Sequence, residues 1–201
     1  MPVIESTLTI LILWAVIGYL LGSIPFGMVL AKLMNLGNLR EIGSGNIGAT
    51  NVLRTGNKLA ALGTLVLDGG KGAVAVLIAR ALAGEDTAQL AGLMAFLGHC
   101  YPVWLGFKGG KGVATFLGLM LALAFPVGLL CCLAWLVTAG ILRISSLSAI
   151  VAAASSTFWV AFFGPGAIFL LSAILTLMVF WRHRENIARL RAGTEPKIGQ
   201  K

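Results

Sequence analysis

Residues 113–142 read VATFLGLMLALAFPVGLLCCLAWLVTAGIL, thirty residues without a charge, with Pro126 and Gly128 near the middle. As one helix the stretch would run about 45 Å, well beyond the roughly 30 Å apolar core of a bilayer. As two short helices joined by a tight turn near Pro126 it crosses and returns, because a proline inside a helix removes a hydrogen bond and crowds the preceding turn. The two readings give six or seven crossings, and charge decides between them. With the turn in place, Lys32, Arg40, Arg54, Lys58, Lys108, Lys111, Arg143 and the six basic residues from Arg182 to Lys201 share one side, thirteen of the fifteen Lys and Arg. Lys71 and Arg80 fall elsewhere, and the opposite side receives Glu5, Glu85 and Asp86. Without the turn Arg143 lies on the far side and a basic cluster must cross. Lys and Arg collect in cytoplasmic loops. The expected architecture is therefore all-α and polytopic, with about seven transmembrane helices, the N-terminus outside and the C-terminus in the cytoplasm.

The rest of the 201-residue chain agrees with a membrane protein. It is 58% hydrophobic and 11% charged, against about 25% charged in soluble domains. Apolar runs at 7–31, 59–82, 88–106, 148–163 and 167–181 are further helix candidates. A single domain over 1–201 is expected. The early sequence lacks a positive n-region, so it does not read as a secretory leader. A net charge of +8 belongs to membrane-flanking loops, which argues against nucleic acid as a partner and for lipid headgroups. Cys100, Cys131 and Cys132 lack metal-ligand spacing and read as small apolar fillers. Neither a metal nor a cofactor is expected.

The topology brings four polar segments to one surface: 33–57, 107–112, 143–147 and the tail after Arg182. Phe107-Lys108-Gly109-Gly110-Lys111-Gly112-Val113 sets two lysines among three glycines, a composition suited to an anion. It is not a nucleotide P-loop, because only three residues separate Gly106 from Gly110-Lys111 and Gly112 follows the lysine. A basic loop lying on lipid headgroups is the plainer alternative. The second loop, Gly43-Ser44-Gly45-Asn46-Ile47-Gly48-Ala49-Thr50-Asn51, is followed by Arg54, whose guanidinium can fork onto phosphate, although these are also ordinary turn residues. Asp68 and Lys71 lie three apart inside an apolar run, where they should pair or face a polar cavity. His99 reads as a structural histidine, while His183 and Asn186 sit one helical turn apart in a basic tail. Gly18-xxx-Gly22 is a helix-packing pattern. Two anion-binding loops together suggest two phosphates in one reaction. A transporter of phosphate or a small organic anion would also gather cations, but it should show an internal repeat of broken helices.

Three separated motifs resemble the bacterial acyl-phosphate:glycerol-3-phosphate acyltransferase family. The first is the 43–51 loop with Arg54. The second runs from Gly98-His99 through Tyr101-Pro102-Val103-Trp104 to Phe107–Thr115. The third is His183, Asn186-Ile187, Arg189-Leu190, Gly193, Glu195 and Lys197. The run Gly22-Ser23-Ile24-Pro25-Phe26-Gly27 and the Asp68–Gly72 run also fit, and Ile47 stands where many relatives have proline. The resemblance implies seven helices and a site open to the cytoplasm of a bacterial inner membrane. It implies acyl transfer from acyl phosphate to the 1-hydroxyl of glycerol 3-phosphate, giving lysophosphatidic acid and inorganic phosphate. The enzyme that makes acyl phosphate is then an expected neighbour.

On that footing Ser44, Asn46, Arg54, Lys111, His183 and Asn186 are the expected catalytic residues. Gly45, Thr50, Asn51, Lys71, Lys108, Gly109, Gly110, Gly112, Thr115, Ser145, Ser146 and Glu195 are expected to join them in binding the substrates. Acyl phosphate is a mixed anhydride whose leaving group needs charge stabilisation more than covalent help. The family is associated with substrate-assisted catalysis, in which a phosphate oxygen takes the hydroxyl proton; His183 as general base is the rival.

Overall fold

The computed structural model of the protein describes residues 2–199, and within them every regular element is helical. Met1, Gln200 and Lys201 lie outside the described residues, and with them the ends of the 1–201 domain and one cation of the basic side. The uncharged stretch does divide. Helix α6 covers Val113–Leu123 and α7 covers Phe125–Leu142, with Ala124 extended between them at φ −150° and ψ 91°. Pro126 sits in the first turn of α7, where its missing N–H would have had no intrahelical acceptor. The backbone of Gly128 lies against that of Leu121, and a Cβ at 128 would collide with it. The chain therefore doubles back.

A second proline makes a break the hydropathy of 7–31 conceals. Helix α1 covers Leu8–Gly22 and α2 covers Phe26–Leu33, separated by Ser23-Ile24-Pro25. The carbonyls freed there are met from outside: Trp104 Nε1 donates to Ser23 O at 3.0 Å and Lys71 Nζ to Ile24 O at 2.7 Å. Helix α3, Ala49–Leu53, is a single turn, and α4 is the long Lys58–Ala83. Helix α5 covers Glu85–Cys100 and ends before Pro102, so the apolar run to 106 is not all helix; Val103–Leu105 form a 3₁₀ turn. Helix α8 spans Ser145–Phe163, α9 Phe169–Arg182 and α10 Arg184–Arg191, the last bent 62° from its predecessor.

Among the described residues four stretches are long and apolar enough to cross a membrane: 8–33, α4, α7 and α8. The bent pair 166–191 makes a fifth, while α6 is shorter. Their outward faces carry exposed Leu, Val, Ile and Phe, as hydrocarbon-facing helices do. Small residues let the backbones touch. Gly18 and Gly22 of α1 press on Ala91 and Ala95 of α5, and Gly118 of α6 on Gly69 of α4. Between α8 and α9 the hydroxyls of Ser156 and Ser172 meet at 3.0 Å, interhelical polar glue of the kind lipid favours.

The ends differ in character. At one, the N–H groups of Glu5 and Ser6 donate to Asp86 Oδ2 at 3.0 and 2.9 Å, while Arg80 pairs with Glu85 at 2.7 Å and donates to Ala122 O at 2.6 Å. The other end gathers the loop 34–57, the 101–112 segment, the 143–145 link and the tail.

Candidate functional site

A cavity of about 1320 Å³ opens among those four segments. Ser44, Gly45, Asn46, Thr50, Asn51 and Arg54 line it from the first loop, Gly109, Lys111 and Gly112 from the second, and Ser145 and Ser146 from the start of α8. His183, Asn186 and Glu195 close it from the tail. The remaining four expected residues do not line it. Lys71 is buried against Asp68 at 2.8 Å, Lys108 is exposed outside, Gly110 is packed beneath, and Thr115 is buried with its hydroxyl donating to Asp68 O at 2.9 Å.

The tail is the most connected wall. Glu195 accepts from Ser146 Oγ and Asn186 Nδ2, both at 2.6 Å, and from Arg189 Nε at 2.7 Å. Burial works against its charge, yet those three donors hold its carboxyl below the usual range. Lys111 Nζ donates to Asn186 Oδ1, so the second loop and α10 meet inside the cavity. Burial, and then Arg189, push the Lys111 ammonium down to about 8, against the pull of Glu195 and Glu185. His183 caps α9, with Nδ1 donating to Val179 O at 2.8 Å, which leaves Nε2 as an acceptor. Burial pushes its imidazole down to about 4. In the first loop Asn51 is the keystone. Its Oδ1 accepts from Ser44 N at 3.1 Å and Arg54 Nη1 at 3.3 Å, while its Nδ2 donates to Leu39 O at 2.9 Å. Thr50 and Ser145 hydroxyls meet at 3.0 Å across the cavity.

Two of the three glycines of the second loop have their N–H groups engaged within the protein. The N–H groups of Gly109 and Gly110 are taken by Cys100 O and His99 O at 3.1 and 3.0 Å. They are glycines because a Cβ at 109 would strike the end of α5 and Pro102, and one at 110 the His99 imidazole. Gly112 combines φ +82° with the Phe96 ring beneath it. From the opposite side Arg182 grips the loop, donating to Gly110 O at 2.9 Å and Gly109 O at 3.3 Å with its guanidinium 4.9 Å from the Tyr101 ring centre. The first turn of α6, opening beyond Gly112, presents N–H groups suited to an anion.

Several lining residues were not among the expected site. Arg40 and Arg182 enter the sequence reading only as charges, Arg189 and Lys197 only as charges and members of the third motif, Asp68 and His99 as motif residues without a substrate role, and Pro196, Ile198 and Gly199 not at all. Residues 196–199 lie across the cavity, clipped to the 143–145 link by Ile198 N donating to Arg143 O at 2.6 Å. Toward the membrane the cavity turns apolar, lined by Leu65, Val66, Leu117, Leu121, Trp135 and Leu136. A cationic pool thus opens into a hydrocarbon slot. Such a site suits an anionic headgroup joined to, or reacting with, an alkyl chain.

The sequence matches the family model described as glycerol-3-phosphate acyltransferase over residues 12–193. It is 71% identical to the glycerol-3-phosphate acyltransferase of Ruegeria pomeroyi over 201 residues, covering 100% of this chain and 99% of the relative. It is 72% identical to that of Roseobacter denitrificans over 199 residues, covering 98% and 99%. Among solved structures it resembles PlsY, an integral membrane glycerol 3-phosphate acyltransferase, in its glycerol 3-phosphate form. The TM-score is 0.88 at 41% identity, covering 94% of this chain and 96% of that one. The lysophosphatidic acid form gives 0.86 at 41% identity, covering 94% and 95%.

Proposed function

The chain belongs to the glycerol-3-phosphate acyltransferase family, and on that premise we propose that it moves a fatty acyl group from acyl phosphate to the 1-hydroxyl of glycerol 3-phosphate. The products are lysophosphatidic acid and inorganic phosphate. One observation carries the reading: Arg40, Arg54, Lys111, Arg182, Arg189 and Lys197 border the same cavity as the apolar slot of Leu65, Leu117, Leu121 and Trp135. Two phosphates meet the cations, and the hydrocarbon chain lies in the slot.

Lys111 and the first turn of α6 receive the phosphate of the donor. Arg54, Asn46, Ser44, Ser145, His183 and Asn186 orient the acceptor. The 1-hydroxyl oxygen attacks the carbonyl carbon, the bond from that carbon to the phosphate oxygen breaks, and phosphate departs with the electron pair, its charge met by Lys111. The hydroxyl proton passes to a substrate phosphate oxygen. A phosphate monoester has a second pKa of about 6, whereas His183 is held at about 4. The phosphate is therefore the better proton acceptor. Holding both reactants in register supplies about 7–11 kcal/mol of the barrier reduction.

The protein sits in the inner membrane of a bacterium with its cavity toward the cytoplasm. Seven crossings fit the clustering of cations at the cavity end and of Glu5, Glu85 and Asp86 at the other. Helix α6, with 11 residues, is short for a full crossing and implies local thinning of the bilayer. The deciding assay mixes purified protein with glycerol 3-phosphate and palmitoyl phosphate. Phosphate release that requires both substrates, with lysophosphatidic acid formed in equal amount, is the expected result. Phosphate release indifferent to glycerol 3-phosphate overturns the reading.

A further inference from the structure

Four residues beside the cavity remain without a part in that chemistry: Asp68, Lys71, His99 and Thr115. They converge on one place. Lys71 Nζ holds Asp68 Oδ1 at 2.8 Å. His99 Nδ1 stands 3.7 Å from the same oxygen, buried and without a hydrogen-bond partner among the described residues. The other edge of the same ring lies under Gly110, where a Cβ would collide with Nε2. Meanwhile the Asp68 carbonyl holds the Thr115 hydroxyl at 2.9 Å. Thus one residue of α4 meets both flanks of the segment bearing Lys111, its carboxylate standing beside the end of α5 and its backbone carbonyl bonded to the start of α6. Gly109 and Gly110 N–H bonds to α5 and the Arg182 clamp complete the enclosure.

We propose that Asp68 and His99 are positioning residues that seat the Gly110–Lys111 turn and so fix where the Lys111 ammonium stands in the cavity. The inference rests on Lys111 gripping a substrate phosphate, since only then does its placement govern turnover. A buried imidazole nitrogen lacking a partner carries a desolvation penalty. It persists here because the ring is wedged between an ion pair and a glycine loop. The glycine at 110 is the matching half of the seat, since any side chain would lift the loop off the ring.

The test reads Lys111 itself, in intact detergent-purified protein with no substrate present. Competitive labelling with acetic anhydride, followed by mass spectrometry, gives the pH at which this amine becomes reactive. Arg182, Glu185, Asn186, Arg189 and Glu195 face the ammonium from α9, α10 and the tail, so its midpoint reports its place among them. In the native protein the midpoint is expected near 8. His99→Ala and Gly110→Ala should each raise it by about one unit or more, toward the ordinary lysine value of about 10.4 as the loop enters water. In the double variant the Gly110→Ala effect should largely vanish, because the ring it strikes is gone. Gly140→Ala, in open space on α7, should leave the midpoint in place. With both substrates His99→Ala should lower kcat/KM about a hundredfold, the scale of a 1 Å misplacement. Midpoints unchanged in both single variants, or effects that simply add, overturn the proposal. If the variants fail to fold, a native Lys111 with an ordinary lysine midpoint overturns it alone. Failure of turnover in the native protein would instead sink the functional reading and leave the labelling result standing.

Discussion

Replacing Glu195 by Gln and by Ala separates what its charge does from what its shape does. The carboxylate accepts three hydrogen bonds, two at Oε1 from Ser146 and Asn186 and one at Oε2 from Arg189. A Gln carbonyl in the place of Oε1 keeps the first two, but its amide then points a donor at the Arg189 donor. The Arg–carboxylate bond is lost, and hydrogen bonds to charged groups contribute about 1.5–3 kcal/mol. The Arg189 side chain is 38% exposed, so solvent screens the pair and the lower end applies. Glu195→Gln should therefore raise KM for glycerol 3-phosphate roughly tenfold, tenfold being about 1.4 kcal/mol. Glu195→Ala also strands the Asn186 and Ser146 donors, and Asn186 in turn holds Lys111. That adds at least one unmade bond of about 1–3 kcal/mol, and the total effect should approach a hundredfold or more. Initial rates of phosphate release against glycerol 3-phosphate concentration, with melting temperature in detergent as control, measure both. Equal kinetics for the two variants, or a Gln variant worse than Ala, would refute the hydrogen-bond reasoning.

The pH response should split activity from stability. Lys111 is held below its unfolded value, so between about pH 8 and 10.4 the folded chain binds fewer protons and this group adds stability as pH rises. The value of kcat/KM should instead fall above about pH 8, because the phosphate-gripping ammonium is lost; a rate that climbs steadily to pH 10 contradicts the role of Lys111. His183→Gln should keep substantial turnover, since an imidazole at about 4 is a poor base; complete loss with unchanged binding of glycerol 3-phosphate would restore it as the general base. Single cysteines at Lys58 and Lys108 in a Cys-free background should react with an impermeant thiol reagent only from the cytoplasmic side, and one at Glu85 only from outside. Lys58 and Lys108 labelling on opposite sides would end the shared-surface topology.

Much of the architecture is legible in residue order because membrane helices obey few rules. Pro126 and the charge count predict the turn between α6 and α7, and the doubling back at Gly128 follows. Pro25 carried the same signal within 7–31, but the surrounding hydropathy masks it, since a break whose carbonyls find partners stays inside the membrane. The gathering of Ser44, Asn51, Arg54, Lys111, His183, Asn186 and Glu195 about one cavity is visible in topology alone. The purpose of Gly109 and Gly110 is not, because a glycine demanded by a neighbouring ring reads the same as one freed for an anion. Nor does composition reveal that Lys71 spends its charge on Asp68, or that Arg182 holds loop carbonyls. Such pairings depend on which helix faces which, and that is settled in three dimensions.

The strip Glu195–Gly199 has a consequence for the making of the protein. These residues leave the ribosome after helices α1–α10, yet they supply the pin of α10 and one wall of the cavity. A chain halted by a premature stop after Gly193 would still hold α1–α10 and every candidate span among the described residues, and would be expected in the bilayer with its cavity unsealed. Biogenesis and competence are thus separated by a handful of codons, so correct membrane insertion of a truncated variant says nothing about whether it works.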